Sequence, residues 1–248
     1  MMNYKCVVQY EGTRYQGWQR QDSTENTLQG KIEAILTKMC DKKVEIQASG
    51  RTDAGVHALG QVMNFHIETE KSPEEIMAYL NQYLPEDVAV ISIEIVSERF
   101  HSRLNARRKT YCYRVLNSTI PHIFERRYVY QLEKVMDGMQ IANMQRAADH
   151  LVGTHDFKAF TSTKKSRKST VRTIEKLQIE KVGDELQFTY IGNGFLYHMV
   201  RIITGTLLEV GMGEKSERDI PVILEAGLRE RAGALAPAKG LTLMNVEY

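Results

Sequence analysis

Apolar positions along the chain recur with two periods, and each change of period marks an element. Val7, Val8 and Tyr10 form a strand-like opening, followed by a glycine-containing loop. Leu28, Ile32, Ile35, Leu36 and Met39 then recur at helical spacing. Asn26 is the expected N-cap of that helix, with Gln29 at N3 completing a capping box. Val44, Ile46 and Ala48 alternate as a strand, as do Met63, Phe65 and Ile67. Ser72-Pro73-Glu74-Glu75 supplies an N-cap, a proline at N1 and a capping-box glutamate. The helix it starts runs through Ile76, Leu80 and Leu84 and must stop near Pro85. Val88–Val96 is a β-branched strand.

The first hundred residues therefore read βαββαβ, the order of a ferredoxin-like unit. A second pass starts at Thr110, where Tyr111, Tyr113 and Val115 share one face of a strand. A helix near Asn143–Val152 is expected to end at Gly153. Strands follow near Ile174–Val182 and Leu186–Ile191, then a helix from Phe195 to Val210 that stops at Gly211. A short helix capped by Ser216 precedes a last strand, Leu241–Val246. The expectation is an α+β protein of two ferredoxin-like halves with antiparallel sheets, residues 1–104 and 105–248, the boundary falling near 100–108.

Charge alters this picture. The net value is only +2, yet residues 99–172 hold 16 Lys/Arg against 5 Asp/Glu. One basic block on an otherwise acidic chain suits a polyanion-binding surface, although a solvated basic loop has the same composition. Within it, Lys164-Lys165-Ser166-Arg167-Lys168 has no apolar periodicity, so it cannot be core and is a candidate phosphate-contacting segment. Cys6, Cys40 and Cys112 are scattered and form no CxxC pair, and the histidines show no metal-binding spacing. Neither a disulfide framework nor a metal site is expected. No apolar run is long enough to span a bilayer, and the polar opening does not resemble a signal peptide, so the cytoplasm is the expected location.

Candidate chemistry concentrates in Ser49-Gly50-Arg51-Thr52-Asp53-Ala54-Gly55-Val56-His57-Ala58, which links two strands. Two glycines bracketing Arg-Thr-Asp let backbone approach a ligand and set where the side chains point. Asp53 in such a loop serves either as an Asx-turn or N-cap residue or as a reactive carboxylate, and Arg51 can pair with it. Arg201 lies in an otherwise apolar helix, so it either meets a carboxylate or snorkels to water. Trp18, flanked by Arg14 and Arg20, either stacks on nucleic acid or plugs its loop against the sheet. His57 is read as a structural member of the loop.

The ten residues from Ser49 to Ala58 resemble the signature of the TruA family of tRNA pseudouridine synthases. Six further segments resemble that family in its order: Tyr10–Gln21, Asn26–Gly30, Phe100–Tyr113, Gly153–Phe157, Phe195–Arg201 and Ala236–Leu241. The resemblance implies that Asp53 is the nucleophile and that Arg51 helps displace the target base and contacts Asp53. It implies that Tyr111 lies against the uracil and that Arg201 pairs with the catalytic carboxylate. It also implies a homodimer acting on tRNA, at uridines 38–40 of the anticodon stem-loop. Arg14, Trp18, Arg20, Lys164, Lys165, Arg167 and Lys168 are the secondary candidates for tRNA contact.

The chemistry agrees with those roles. Pseudouridine forms when the bond from nitrogen to ribose breaks, the uracil turns, and carbon rejoins the sugar. No atoms are gained or lost, so no cofactor is expected. An Asp carboxylate can hold one fragment, at either C6 of uracil or C1′ of ribose, and a nearby guanidinium favours its charged form. A Tyr111 ring can replace lost base stacking, although an inward-facing strand aromatic has the same pattern. Two other classes fit less well. An RRM-like binding protein would carry aromatic RNP strands. A metal-dependent nuclease would cluster carboxylates, whereas residues 49–65 contain only Asp53.

Overall fold

The computed structural model describes residues 1–163 and 168–248; Lys164, Lys165, Ser166 and Arg167 lie outside the described residues. The chain forms two compact units, Met1–Arg107 with Thr242–Tyr248, and Arg108–Leu241. In order, unit 1 contains β1 (Met2–Tyr10), α1 (Leu28–Cys40), β2 (Ile46–Ala48), β3 (His57–Ile67), α2 (Pro73–Tyr83) and β4 (Val88–Val96). Unit 2 follows with β5 (Arg108–Leu116), β6 (Tyr130–Gln131), α3 (Gly138–Asp149), β7 (Gly153–Asp156), β8 (Val171–Val182), β9 (Glu185–Gly192), α4 (Met199–Gly211) and α5 (Asp219–Ala226). Strand β10 (Leu241–Glu247) closes the chain.

In unit 1, β1 lies between β4 and β3 and is antiparallel to both, while β2 adds a short antiparallel pairing to β3. Tyr4, Cys6, Val8 and Tyr10 point inward from β1 at period two. Tyr4 stacks on Phe65 of β3, with 5.7 Å between ring centroids. Helix α1 buries Leu28, Ile32 and Leu36, and α2 buries Ile76 and Leu80. Each such side chain stabilises the fold by about 1.5–3 kcal/mol. Strand β10, counted with the second half in the sequence, pairs in parallel with β3. Gly60 makes that approach possible: a Cβ there would lie 2.5 Å from the Met244 carbonyl oxygen.

In unit 2 the order β5-β9-β8-β7 is antiparallel throughout, with β6 added in parallel to β5. Tyr113 and Val115 of β5 and Phe188 and Tyr190 of β9 are fully buried, as are Ile202, Ile203 and Leu207 of α4.

Helix ends test the local readings. Ser72 and Glu75 form the expected capping box on α2. On α1 the cap is Thr27, whose hydroxyl accepts from the Gly30 amide at 3.3 Å, in place of the expected Asn26. Asn26 instead donates its side-chain amide to the Arg14 carbonyl, and Gln29 binds Gln19 and Glu33. Helix α3 starts at a capping box made by Asp137 and Gln140, well before the expected Asn143. It ends at Asp149, and Gly153 opens β7 with φ 111°. Helix α4 starts at Met199 in place of Phe195, because His198 has φ 64° and breaks the helical path. Arg218, in place of Ser216, precedes α5; the Ser216 hydroxyl accepts from the Arg218 amide in the turn before it.

Candidate active site

Asp53 follows a short strand edge and precedes β3, so it is no helix cap. Its carbonyl accepts from the Val56 amide at 3.2 Å, making a tight turn in which Gly55 takes φ 79°. The residues before it are held by a buried polar network. The Tyr10 hydroxyl meets the Thr52 hydroxyl at 2.8 Å. Gln61, fully buried on β3, accepts from the Ser49 hydroxyl at 2.7 Å and donates to the Gly50 carbonyl at 3.1 Å. Burial pushes the Tyr10 phenol well above its usual pKa, outweighing its hydrogen bonds to Thr52 and Gln61, so it stays neutral.

The loop after β1 wraps the same turn. Trp18 donates its amide to the Thr52 carbonyl at 3.0 Å, and Gly12 donates its amide to Nδ1 of His57 at 3.0 Å. That bond requires Nδ1 to be unprotonated, so His57 serves as an acceptor for the loop. A Cβ on Gly12 would lie 2.0 Å from the Val56 carbonyl oxygen, and one on Gly17 would lie 2.8 Å from that of Thr52. Only glycines permit this approach. Trp18 is 1% exposed and packs against Tyr10 at 5.8 Å, so of its two readings the structure shows the plug and corrects the expectation of a stacking platform.

Arg51 is exposed and opens onto a polar cleft of about 230 Å³ within unit 1. Among the described residues no ion pair of the Arg51 guanidinium is found. Arg20 lines the same cleft and pairs with the buried Glu33 at 2.7 Å. Arg14 lies elsewhere in the unit and pairs with Asp87 at 2.6 Å. Unit 1 thus brings Arg51, Asp53, Trp18 and Arg20 together through two loops and leaves Arg14 apart.

In unit 2, Tyr111 is 8% exposed and meets Phe195 edge-on, with centroids 5.2 Å apart. Phe195 fixes the plane of the ring. Between Tyr111 and Tyr113, burial pushes the Cys112 thiol up to about 11, which excludes a ready thiolate nucleophile. Arg201 is half-buried on α4 and donates Nε to the Ala236 carbonyl at 2.8 Å, while the Ala236 amide returns to the Arg201 carbonyl at 3.2 Å. The Gly233 amide donates to the Thr206 hydroxyl at 2.8 Å. Gly205 allows this strap to lie on the helix, since a Cβ there would fall 1.9 Å from the Ala234 carbonyl oxygen. Lys168 is exposed, and its neighbours Lys164, Lys165 and Arg167 lie outside the described residues.

Sequence reasoning missed Gln61 and Arg103. No local pattern marks Gln61, because its role depends on β3 passing beneath the 49–52 loop. Arg103 stood inside the segment Phe100–Tyr113 and lines the cleft with Arg51. Among the described residues, no three His, Cys, Asp or Glu side chains are placed to hold a metal ion, and no helix is long and apolar enough to cross a membrane.

Comparison with known proteins identifies the family. A family model described as tRNA pseudouridine synthase matches residues 6–105 and 147–248, which include Arg51, Asp53 and Arg201 but not Tyr111. A tRNA pseudouridine synthase A of Bacillus sp. (strain KSM-64) is 46% identical over the full length of both chains. A tRNA pseudouridine synthase A 2 of Bacillus cereus (strain ZK / E33L) is 44% identical, and a tRNA pseudouridine synthase A of Acetivibrio thermocellus 43%, again over both full lengths. Among solved structures, a Cbf5–Nop10–Gar1 complex aligns at TM-score 0.41 and 10% identity, covering 97% of this chain and 48% of that one. On the strength of the family match and the full-length relatives, the chain belongs to the tRNA pseudouridine synthase family, of the TruA type.

Proposed function

We propose that this chain isomerises uridine to pseudouridine at positions 38, 39 and 40 in the anticodon stem-loop of tRNA, with Asp53 as the nucleophile. One observation carries the reading: the Ser49–Ala58 signature forms a tight turn that Asp53 opens, with the loop after β1 and strand β3 closed around it. During the reaction the N1–C1′ bond breaks, the uracil turns, and a C5–C1′ bond forms. The C5 proton leaves and N1 takes one up, so no net oxidation occurs. The Asp53 carboxylate holds one fragment while the base turns. Arg201 is the proposed cation for that carboxylate, and Arg51 the residue that displaces the base. Extruding a uridine costs a few kcal/mol. Stacking on Tyr111, whose plane Phe195 fixes, offsets about 1–3 kcal/mol of this. The protein acts in the cytoplasm as a homodimer, and the basic segment ending at Lys168 contacts phosphates.

The test is incubation of individual unmodified tRNA transcripts with the protein in EDTA, followed by carbodiimide labelling and mapping by primer extension. Labels at positions 38–40 support the reading. Labels elsewhere overturn the position, and no label overturns the activity. Light scattering at micromolar concentration tests the dimer; a monomer with full activity rejects it.

A further inference from the structure

The cleft beside the Asp53 loop holds a charge imbalance that the fold itself does not resolve. Three guanidinium groups line it, those of Arg20, Arg51 and Arg103, together with the carboxylates of Glu33 and Glu45. Both carboxylates are already engaged. Glu33, 4% exposed, accepts from Arg20 at 2.7 Å, from Gln29 at 2.8 Å and from the Ile46 amide at 3.1 Å. Glu45 pairs with Lys43 at 2.6 Å, which holds its pKa below the usual carboxylate range. Arg51 and Arg103 are left with no side-chain hydrogen bond or ion pair among the described residues. Two like charges lining one cleft repel each other, and an anion between them reverses that cost.

The loop that carries Arg103 is not loosely placed. Ser102, fully buried, donates both its amide and its hydroxyl to the Asn64 side-chain oxygen, at 2.9 and 2.8 Å. Asn64 donates in turn to the Asn3 side chain at 3.0 Å, and Asn3 donates to the carbonyls of Ser97 and Phe100 at 3.0 and 2.9 Å. The Tyr248 hydroxyl donates to the Ser102 carbonyl at 2.8 Å, with its ring against Phe100 at 4.9 Å. Buried polar groups are costly unless fully satisfied, and here they fix an exposed segment whose Arg103 opens onto the cleft.

We propose that Arg103 holds one backbone phosphate of the substrate RNA in this cleft, beside Arg51 and next to the nucleotide presented to Asp53. Guanidinium forks suit a phosphodiester because two N–H groups meet two oxygens in one plane. Arg103 is then a substrate-binding residue that sets where the strand enters the site. The proposal deepens the functional reading above and rests on it.

The experiment compares wild type, Arg103→Gln and Arg103→Lys for binding to an unmodified anticodon stem-loop RNA at several salt concentrations. Arg103→Gln should weaken binding about tenfold at low salt and flatten the slope of log K against log salt by about 0.7 to 0.9, one contact's share. Arg103→Lys should keep the slope and recover only part of the affinity, because the planar fork is lost. A methylphosphonate placed in turn at each linkage around the target uridine should weaken wild-type binding at one position, where Arg103→Gln then adds nothing. The thermal midpoint should not move, since Arg103 is exposed and unpaired. Unchanged slope and affinity in Arg103→Gln, or no linkage that couples to it, overturns the phosphate site. Carbodiimide mapping of product with the same wild-type preparation separates the two failures: absence of pseudouridine overturns the activity, whereas normal product with an unchanged slope overturns only this site.

Discussion

The two units hold their proposed functional side chains by opposite means. In unit 1 the Asp53 turn is irregular backbone, and its order comes from buried polar groups: Tyr10, Thr52, Ser49 and Gln61, with Gly12 and Gly17 admitting a second loop. In unit 2, Tyr111 sits on a regular strand and Arg201 on a regular helix. There the orientation comes from packing on Phe195 and from a backbone strap laid along α4. A loop needs each of its carbonyls and amides accounted for one by one, whereas a strand or helix has satisfied its own backbone and needs only a neighbour. Damage should therefore propagate differently in the two units.

The largest effect tests the residue that opens the turn. Asp53→Asn should lower turnover by about a thousandfold or more with tRNA affinity and thermal midpoint kept. Turnover within about tenfold of wild type would remove Asp53 as nucleophile. In unit 2, Tyr111→Ala should cost about 5- to 150-fold in turnover, the equivalent of one stacked base, and Tyr111→Phe much less. Equal activity for Tyr111→Ala and wild type would return that ring to the core.

The contrast sharpens with two glycines. Gly12→Ala and Gly205→Ala each force a Cβ into a carbonyl oxygen and should each destabilise by about 1–3 kcal/mol or more. Gly12→Ala should also depress turnover well below the melting range, because Val56 closes the Asp53 turn, while Gly205→Ala should act mainly on the midpoint. Equal turnover losses for the two would erase the distinction. Gln61→Met should remove the acceptor for the Ser49 hydroxyl and the donor to the Gly50 carbonyl, costing about 1–3 kcal/mol, with turnover falling at unchanged tRNA affinity; a midpoint shift without any loss of turnover would make the network a purely structural one.

The smallest effect concerns unit 2 alone. Burial would raise Glu185, but hydrogen bonds and charge from Arg114, at 2.7–2.8 Å, hold it below the ordinary 4.5. A depressed carboxylate stabilises the fold above its unfolded value and loses that contribution as pH falls through the folded one. Arg114→Met should therefore be less stable near neutrality and show a shallower decline of midpoint below about pH 4.5. Parallel pH profiles for the two proteins would reject the linkage.

Legibility in the sequence followed the range of the forces involved. The Ser72–Glu75 box was readable because both partners lie within one turn. The Asp137–Gln140 box has the same spacing but lacks the proline and the acidic first turn that mark the start of α2. Asn26 looked like a better cap than Thr27, but a tertiary contact to the Arg14 carbonyl claimed its amide. The start of α4 was hidden because a left-handed His198 leaves no periodic trace, and Phe195 still looked apolar and helical. Strands β6 and β7, of two and four residues, are too short to alternate visibly. At the site, the loop carrying Arg51 and Asp53 announced itself by its glycines and charges. Gln61 and Arg103 did not, since one acts from beneath and the other from a distant loop. Trp18 was ambiguous until its burial was seen.

Strand β10 has a consequence for how the protein is made. Residues 242–248 belong to unit 1, although all of unit 2 precedes them in the sequence. On a ribosome adding roughly 5–20 residues per second, unit 2 takes on the order of ten seconds to emerge. Throughout that interval β3 lacks its parallel partner beside Gly60, and the segment bearing Arg103 lacks the Tyr248 clamp. The unit whose loop carries Asp53 is begun first and finished last. A nascent chain, or one cut short after unit 2, would thus hold an unfinished sheet edge at β3 and an untethered arginine loop beside it. Unit 1 is therefore complete only once its last strand has been translated.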